Sequence, residues 1–199
     1  MRKRTATVQR KTTETDITVK IDLDGTGEKR KIATGIGFFD HMLDAFARHG
    51  YFDLEVRAKG DLHIDAHHTV EDTGIVLGEA IRKALGDKKG IRRYGSMLLP
   101  MDETLALCAV DLCGRPYFQM DAAFHAQKVG EFDTELVREF FHAVSCSAMM
   151  NLHLKIMNDA PGNTHHGIEA LFKAFARALD DATQTDPRIN SVPSTKGTL

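Results

Sequence analysis

The sequence predicts an α+β fold, built by internal duplication of a strand–strand–helix–strand–helix unit with its helices packed on mixed β-sheets. Three observations predict it. The segment His67-His68-Thr69-Val70-Glu71 recurs as His165-His166-Gly167-Ile168-Glu169, and 165 − 67 and 169 − 71 both equal 98. Apolar residues of helical period follow each copy: Val76, Leu77, Ala80, Ile81, Ala84 and Leu85 after the first, Leu171, Phe172, Phe175, Ala178 and Leu179 after the second. Ahead of each copy the chain runs through the same series of alternating strand, glycine turn and amphipathic helix.

In the first half, Ala6 to Gln9 suit a short strand, and Ile17, Val19, Ile21 and Leu23 alternate with polar residues as a half-buried one. That strand ends at Asp24-Gly25-Thr26-Gly27, across which Ile32 to Thr34 are expected to pair back. Phe39, Met42, Leu43 and Phe46 have helical spacing, with Gly50 as the cap. Leu54 and Val56 open another strand, which Leu62 and Ile64 continue, and the helix begun by His67 closes at Gly86. Residues 1–89 thus form one repeat and 90–199 the other, joined by the polar connector Asp87-Lys88-Lys89-Gly90 in one compact domain.

The second half repeats the order. Leu105, Leu107 and Ala109 form a strand before the turn at Gly114, which stands 114 − 25 = 89 residues after Gly25, and Tyr117 to Met120 are expected to return. Leu136, Val137, Phe140, Phe141 and Val144 make a helix; Leu152, Leu154 and Ile156 make a strand; and the polar loop Asn158 to Asn163 delivers the second histidine pair. Two-layer packing of helices on sheets follows from these amphipathic patterns.

Composition narrows the function. With 199 residues, 42 % hydrophobic and 27 % charged, the chain is that of an ordinary globular protein. A net charge of −2 gives no electrostatic reason to expect nucleic acid or membrane as a partner. Three cysteines without CxxC spacing suggest a reducing compartment, and no apolar run or leader-like segment argues against a cytoplasmic location.

Ten histidines are a surplus, and six fall in repeated positions. On a helix His67 and Glu71 share one face a turn apart, whereas His68 points about 100° away. One segment therefore offers a chelating pair to one centre and a lone imidazole to another. A third histidine recurs as well, His41 after Phe39-Asp40 and His142 after Phe140-Phe141. The metal-ligand set is then His41, His67, His68, Glu71, His142, His165, His166 and Glu169. Imidazole with carboxylate suits Mn, Fe, Co, Ni or Zn, and four groups per ion leave open positions, the mark of a catalytic site. His67, Glu71, His166 and His142 are expected to share one ion, and His165, Glu169, His68 and His41 the other. An isolated His pair would more simply be a polar helix start; two copies in register are what favour metal.

The chain resembles the imidazoleglycerol-phosphate dehydratases of histidine biosynthesis over nearly its whole length. The resemblance is carried by Arg10-Lys11-Thr12-Thr13-Glu14-Thr15, Gly37-Phe38-Phe39-Asp40-His41-Met42-Leu43, Asp65-Ala66-His67-His68-Thr69-Val70-Glu71-Asp72, the segment Asn163 to Lys173, and Pro193-Ser194-Thr195-Lys196-Gly197. It implies a lyase with two Mn2+ per active site, converting a phosphorylated imidazole, imidazole glycerol phosphate, into imidazole acetol phosphate and water. It implies also a homo-oligomeric cage of 24 subunits with active sites at interfaces. Glu14 is implied as the acid/base, with Glu71 and Glu169 beside it in the catalytic set. Arg93, Arg115, Lys173, Ser194 and Lys196 match the phosphate-binding positions, and His67, His68, Glu71, His165 and His166 lie beside the substrate. Singly, each of these cations is more simply a solvated surface charge. Glu103, the counterpart of Glu14 at the 89-residue offset, is not expected to be catalytic. A dinuclear metallohydrolase and a non-catalytic metal store are the rival classes for the same ligands.

Overall fold

The computed structural model describes residues 3–158, 162–197 and 199, so Met1, Arg2 and part of the loop expected over Asn158 to Asn163 lie outside the described residues. The first half contains β1 (Thr5–Lys11), β2 (Thr15–Asp22), β3 (Arg30–Ala33), α1 (Gly37–His49), β4 (Asp53–Gly60) and α2 (His67–Leu85). The second contains β5 (Tyr94–Met101), β6 (Thr104–Asp111), β7 (Tyr117–Asp121), the short pair β8 (Lys128–Val129) and β9 (Phe132–Asp133), α3 (Leu136–Ala148), β10 (Asn151–Ile156) and α4 (Thr164–Thr183). The duplication is plain: sheet order β1-β2-β4-β3 in one half is matched by β5-β6-β10-β7 in the other.

Three expectations need correction. The first half carries one more strand than the five-element unit and the second three more, β5 and the short pair β8 and β9. β5 was hidden because Leu98-Leu99-Pro100 breaks the alternation, and a proline is tolerated there because β5 is a sheet edge. Ile32 does not pair back across the Gly25 turn. β3 lies parallel to β4, with Ile32 opposite Val56, and β7 lies parallel to β10 in the same way. Parallel neighbours require a crossover, and α1 and α3 supply it, so the strand that pairs with β2 is β4 rather than β3. Leu62 and Ile64 belong to a turn and are 38 % and 64 % exposed.

Each sheet lays one face on its own helices. Ile17, Val19 and Ile21 of β2 and Ala106, Cys108 and Val110 of β6 are all buried. Across the halves α2 packs on α3 and α1 on α4, giving one continuous core. Phenylalanines tie it together: Phe172 of α4 stands 5.1 and 4.7 Å from Phe140 and Phe141 of α3, and Phe46 of α1 stacks on Phe175 at 5.4 Å. The α2–α3 approach is close enough to demand glycine. A Cβ on Gly74 would lie 2.7 Å from the Phe140 carbonyl oxygen, and one on Gly78 2.6 Å from that of Val144. This packing holds the starts of α2 and α4, with their histidine pairs, at fixed places on the core.

Candidate active site

Both histidine pairs sit on the first turn of a long helix, and a side chain just ahead of each helix accepts one of its backbone donors. Asp65 Oδ1 accepts the His67 backbone N–H at 2.8 Å, and Asn163 Oδ1 accepts that of His165 at 2.9 Å. A capping side chain satisfies a backbone donor that helix geometry leaves free. Asn163 is the N-cap of α4, whereas Asp65 stands one residue ahead of the α2 N-cap, Ala66. Asp72, the other flanking acid, accepts from Thr15 Oγ1 and from Arg10 at 3.0 Å, pinning β1 and β2 to α2.

Three of the expected ligands converge. His41 of α1 and His165 and Glu169 of α4 bring His41 Nε2 and His165 Nε2 to 3.5 and 3.1 Å from the same carboxylate oxygen of Glu169. With bonds of about 2.1 Å, neighbouring donors on a six-coordinate ion stand about 3 Å apart, so two imidazole nitrogens and a carboxylate at this spacing fit a divalent cation. Glu169 is buried, which opposes its ionisation. The Lys173 ammonium at 2.7 Å, helped by His41 and His165, outweighs that cost and holds the carboxyl below its ordinary range.

The other expected ligands are not gathered within one chain. His67 and Glu71 stand 3.7 Å apart on α2, as their spacing requires. His142, exposed on α3, lies 3.5 Å from Cys146 Sγ and faces the Phe118 ring. His68 lies apart from His41, His165 and Glu169. Its Nδ1 is 3.0 Å from Asp61 Oδ2 and 3.9 Å from Glu14 Oε2. Its counterpart His166 places Nδ1 2.9 Å from Glu103 Oε2 and 3.8 Å from Asp102. The hydrogen bond to Asp61 raises the His68 pKa, and that to Glu103 raises the pKa of His166. Glu103 is drawn down to about 2 by His166 and by the Asn163 backbone N–H.

Glu14 is exposed and shares with Lys11, Thr12, Asp61 and His63 a cavity of about 300 Å3. Of the basic set, Arg93 is the most firmly held. It adopts φ +74°, grips Asp111 through Nε and Nη2 at 2.7 and 3.1 Å, and donates through Nη1 to the Pro193 carbonyl at 2.8 Å. The segment bearing Ser194 and Lys196 is thereby tied to the second half. Its end returns to the turn carrying Arg115, where Leu199 lies so close to Gly114 that a Cβ there would come within 2.7 Å. Arg115 and Lys196 are exposed, whereas Lys173 is engaged by Glu169.

Sequence reasoning passed over Asp61 and Asp111, and dismissed Glu103. The 89-residue offset that relates Glu103 to Glu14 was the available signal for that residue. No periodicity marks the two aspartates, because both act across the fold.

A family model described as imidazoleglycerol-phosphate dehydratase matches residues 34–179. Imidazoleglycerol-phosphate dehydratase of Lachnoclostridium phytofermentans is 63 % identical, over 98 % of this chain and 98 % of that protein. That of Acetivibrio thermocellus is also 63 % identical, over 96 % and 97 %. Among solved structures, the Staphylococcus aureus dehydratase superposes with a TM-score of 0.82 at 43 % identity, covering 92 % of this chain and 99 % of that one. The Pyrococcus furiosus protein, solved in complex with (S)-C348, gives 0.83 at 37 % identity, covering 96 % and 100 %.

Proposed function

This chain belongs to the imidazoleglycerol-phosphate dehydratase family, the hydro-lyases of histidine biosynthesis, and on that premise we propose that it converts imidazole glycerol phosphate into imidazole acetol phosphate and water at a site holding two divalent ions, manganese by preference. The observation that carries the metal reading is the meeting of His41, His165 and Glu169, drawn from opposite halves of the chain onto one point. Ligands of this hardness and spacing suit Mn2+ better than a thiolate-seeking ion.

Two ion sites follow on this reading, one held by His41, His165, Glu169 and His68, the other by His67, Glu71, His142 and His166. His68 lies apart from the three donors it would join. A neighbouring copy of the chain supplies it, which agrees with a cage of 24 subunits whose active sites lie at interfaces. The ions, when bound, act as Lewis acids that lower the ring N–H pKa of the substrate imidazole and ease electron flow into its side chain.

The chain's own residues do the rest. The carbon-bound hydrogen to be lost is not acidic, and the departing hydroxyl must leave as water. Glu14 handles both protons through its carboxylate, exposed on the rim of the cavity it shares with Asp61. The phosphate dianion calls for converging cations and hydroxyls, a role for Arg115, Ser194, Lys196, Lys173 and Arg93. Arg93 spends most of its fork on Asp111 and Pro193, so its contribution includes holding the tail in place. The tail, folded over the ligand, would exclude water from the reacting carbons.

The test is a turnover assay on imidazole glycerol phosphate with and without added Mn2+. Mn2+-dependent ketone formation without release of inorganic phosphate, abolished in Glu14→Gln with the ions retained, supports the proposal. Phosphate release without ketone would move the assignment to a metallohydrolase.

A further inference from the structure

The second histidine of each pair meets a carboxylate through the same ring nitrogen, but the carboxylates come from unrelated places. His68 Nδ1 lies 3.0 Å from Asp61, on the turn after β4; His166 Nδ1 lies 2.9 Å from Glu103, at the β5–β6 turn. By the duplication Glu103 corresponds to Glu14 (103 − 14 = 89), and Glu14 stands 3.9 Å from His68 Nδ1, beyond hydrogen-bond reach. In the first half the Asp61 turn has taken the place against the ring, leaving the Glu14 carboxylate to face the cavity. In the second half Glu103 takes that place itself.

Both acids are built in. Glu103 also accepts the Asn163 backbone N–H at 2.6 Å through Oε1, and its side chain approaches Gly162 so closely that a Cβ there would lie 2.5 Å from Oε1. The residue that orients His166 is thus locked to the cap that starts α4. The Asp61 side chain is turned inwards and only 12 % exposed.

A neutral imidazole carries its proton on one nitrogen and offers a lone pair on the other, and the partner of the first decides which nitrogen is free. We propose that Asp61 and Glu103 are positioning residues: by accepting the Nδ1–H of His68 and His166 they fix the tautomer and ring orientation in which Nε2 is presented as a metal ligand. The inference rests on the reading that His68 and His166 hold the two ions. It gives the repeat-related Glu14 and Glu103 different work, one on the substrate and the other on a ligand.

The test uses the full chain, stripped with chelator and titrated with Mn2+ by calorimetry, beside Asp61→Ala, Asp61→Asn, Glu103→Ala and Glu103→Gln. Each alanine variant should lose about 10–100-fold in affinity at one of the two sites, the usual effect of removing the group that orients an imidazole ligand. Asp61→Asn should recover most of it, because its carbonyl oxygen still accepts from Nδ1–H; Glu103→Gln should recover only part, because one carbonyl oxygen cannot serve both His166 Nδ1–H and the Asn163 backbone N–H. Nitrogen-15 spectra of histidine-labelled, metal-free protein give a readout independent of metal. His68 and His166 should show Nδ1–H in the unaltered chain and shift towards Nε2–H in the alanine variants. Unchanged affinity and tautomer in both alanine variants, or Asp61→Asn as weak as Asp61→Ala, would overturn the inference and leave the metal reading standing. Unaltered protein that takes up no stoichiometric Mn2+ would overturn the metal reading and the inference with it.

Discussion

Replacing Gly78 by alanine should loosen the seam between the two halves. The added Cβ would sit 2.6 Å from the Val144 carbonyl oxygen, 2.8 Å from Ser147 Cβ and 2.9 Å from the Ala148 backbone nitrogen. Two of these three are backbone atoms of α3, so no side-chain rotation relieves the clash. Ordinary contact begins near 3.4 Å, and 3.4 − 2.6 leaves α2 and α3 to separate by about 0.8 Å. Overpacking of this kind costs about 1–3 kcal/mol. The three simultaneous contacts put Gly78 towards the upper end, and the better helix propensity of alanine returns about 1 kcal/mol. A net loss of about 2 kcal/mol should lower the melting temperature of a chain this size by roughly 4–8 °C. Thermal unfolding of metal-free protein followed by circular dichroism measures it. Gly37→Ala is the control: it lies at the start of α1 with nothing within 4 Å of the new Cβ, so stability should hold or rise slightly. Because α2 carries His67 and Glu71 while α3 carries His142, Gly78→Ala should weaken Mn2+ binding as well. A Gly78→Ala protein as stable as Gly37→Ala would refute the argument that close backbone approach fixes the two halves.

Glu169→Gln keeps the shape of the side chain but removes the charge on which His41, His165 and Lys173 converge; one of the two ions per chain should be lost, as elemental analysis would register. Asp111→Ala frees the Arg93 fork and with it the segment tied at Pro193, so carboxypeptidase should shorten the tail faster and KM should rise several-fold more than kcat falls. The pH dependence has a definite sign. His68 and His166 have raised pKa values, so their contribution to the metal-free fold is complete below 6.5 and lost as pH rises through the raised values. Glu103 contributes above 4.5 and loses its contribution as pH falls towards about 2, so the Glu103–His166 pair stabilises most between 4.5 and 6.5. Mn2+ must displace the protons those carboxylates favour, so its apparent affinity should fall as pH falls through the raised values, with proton release seen by calorimetry in buffers of different ionisation enthalpy.

All four long helices were legible because each buries one face, and 3.6-residue periodicity survives in Phe39, Met42, Leu43 and Phe46 as in Leu171, Phe172 and Phe175. The strand partners were not. A hairpin across Gly25 and the observed β3–α1–β4 crossover demand the same local alternation, and only the packing of α1 chooses between them. The candidate ligands were visible because they repeat, and three of them, His41, His165 and Glu169, lie together. The separation of His68 from that group is a property of one chain folded in space, which spacing along the sequence does not encode. Asp61 and Asp111 escaped for the same reason: each acts on a residue brought near by the fold, His68 across a turn and Arg93 across a sheet edge.

On the proposed function, the duplicated histidine segments hold two ions between them. Metal content per chain, measured by elemental analysis on protein purified without chelator and again after dialysis against Mn2+, tests it most directly. About two ions per chain should be found, falling to about one in Glu169→Gln. A chain that holds no stoichiometric metal would contradict it, leaving the repeated histidines as a relic of duplication rather than a site.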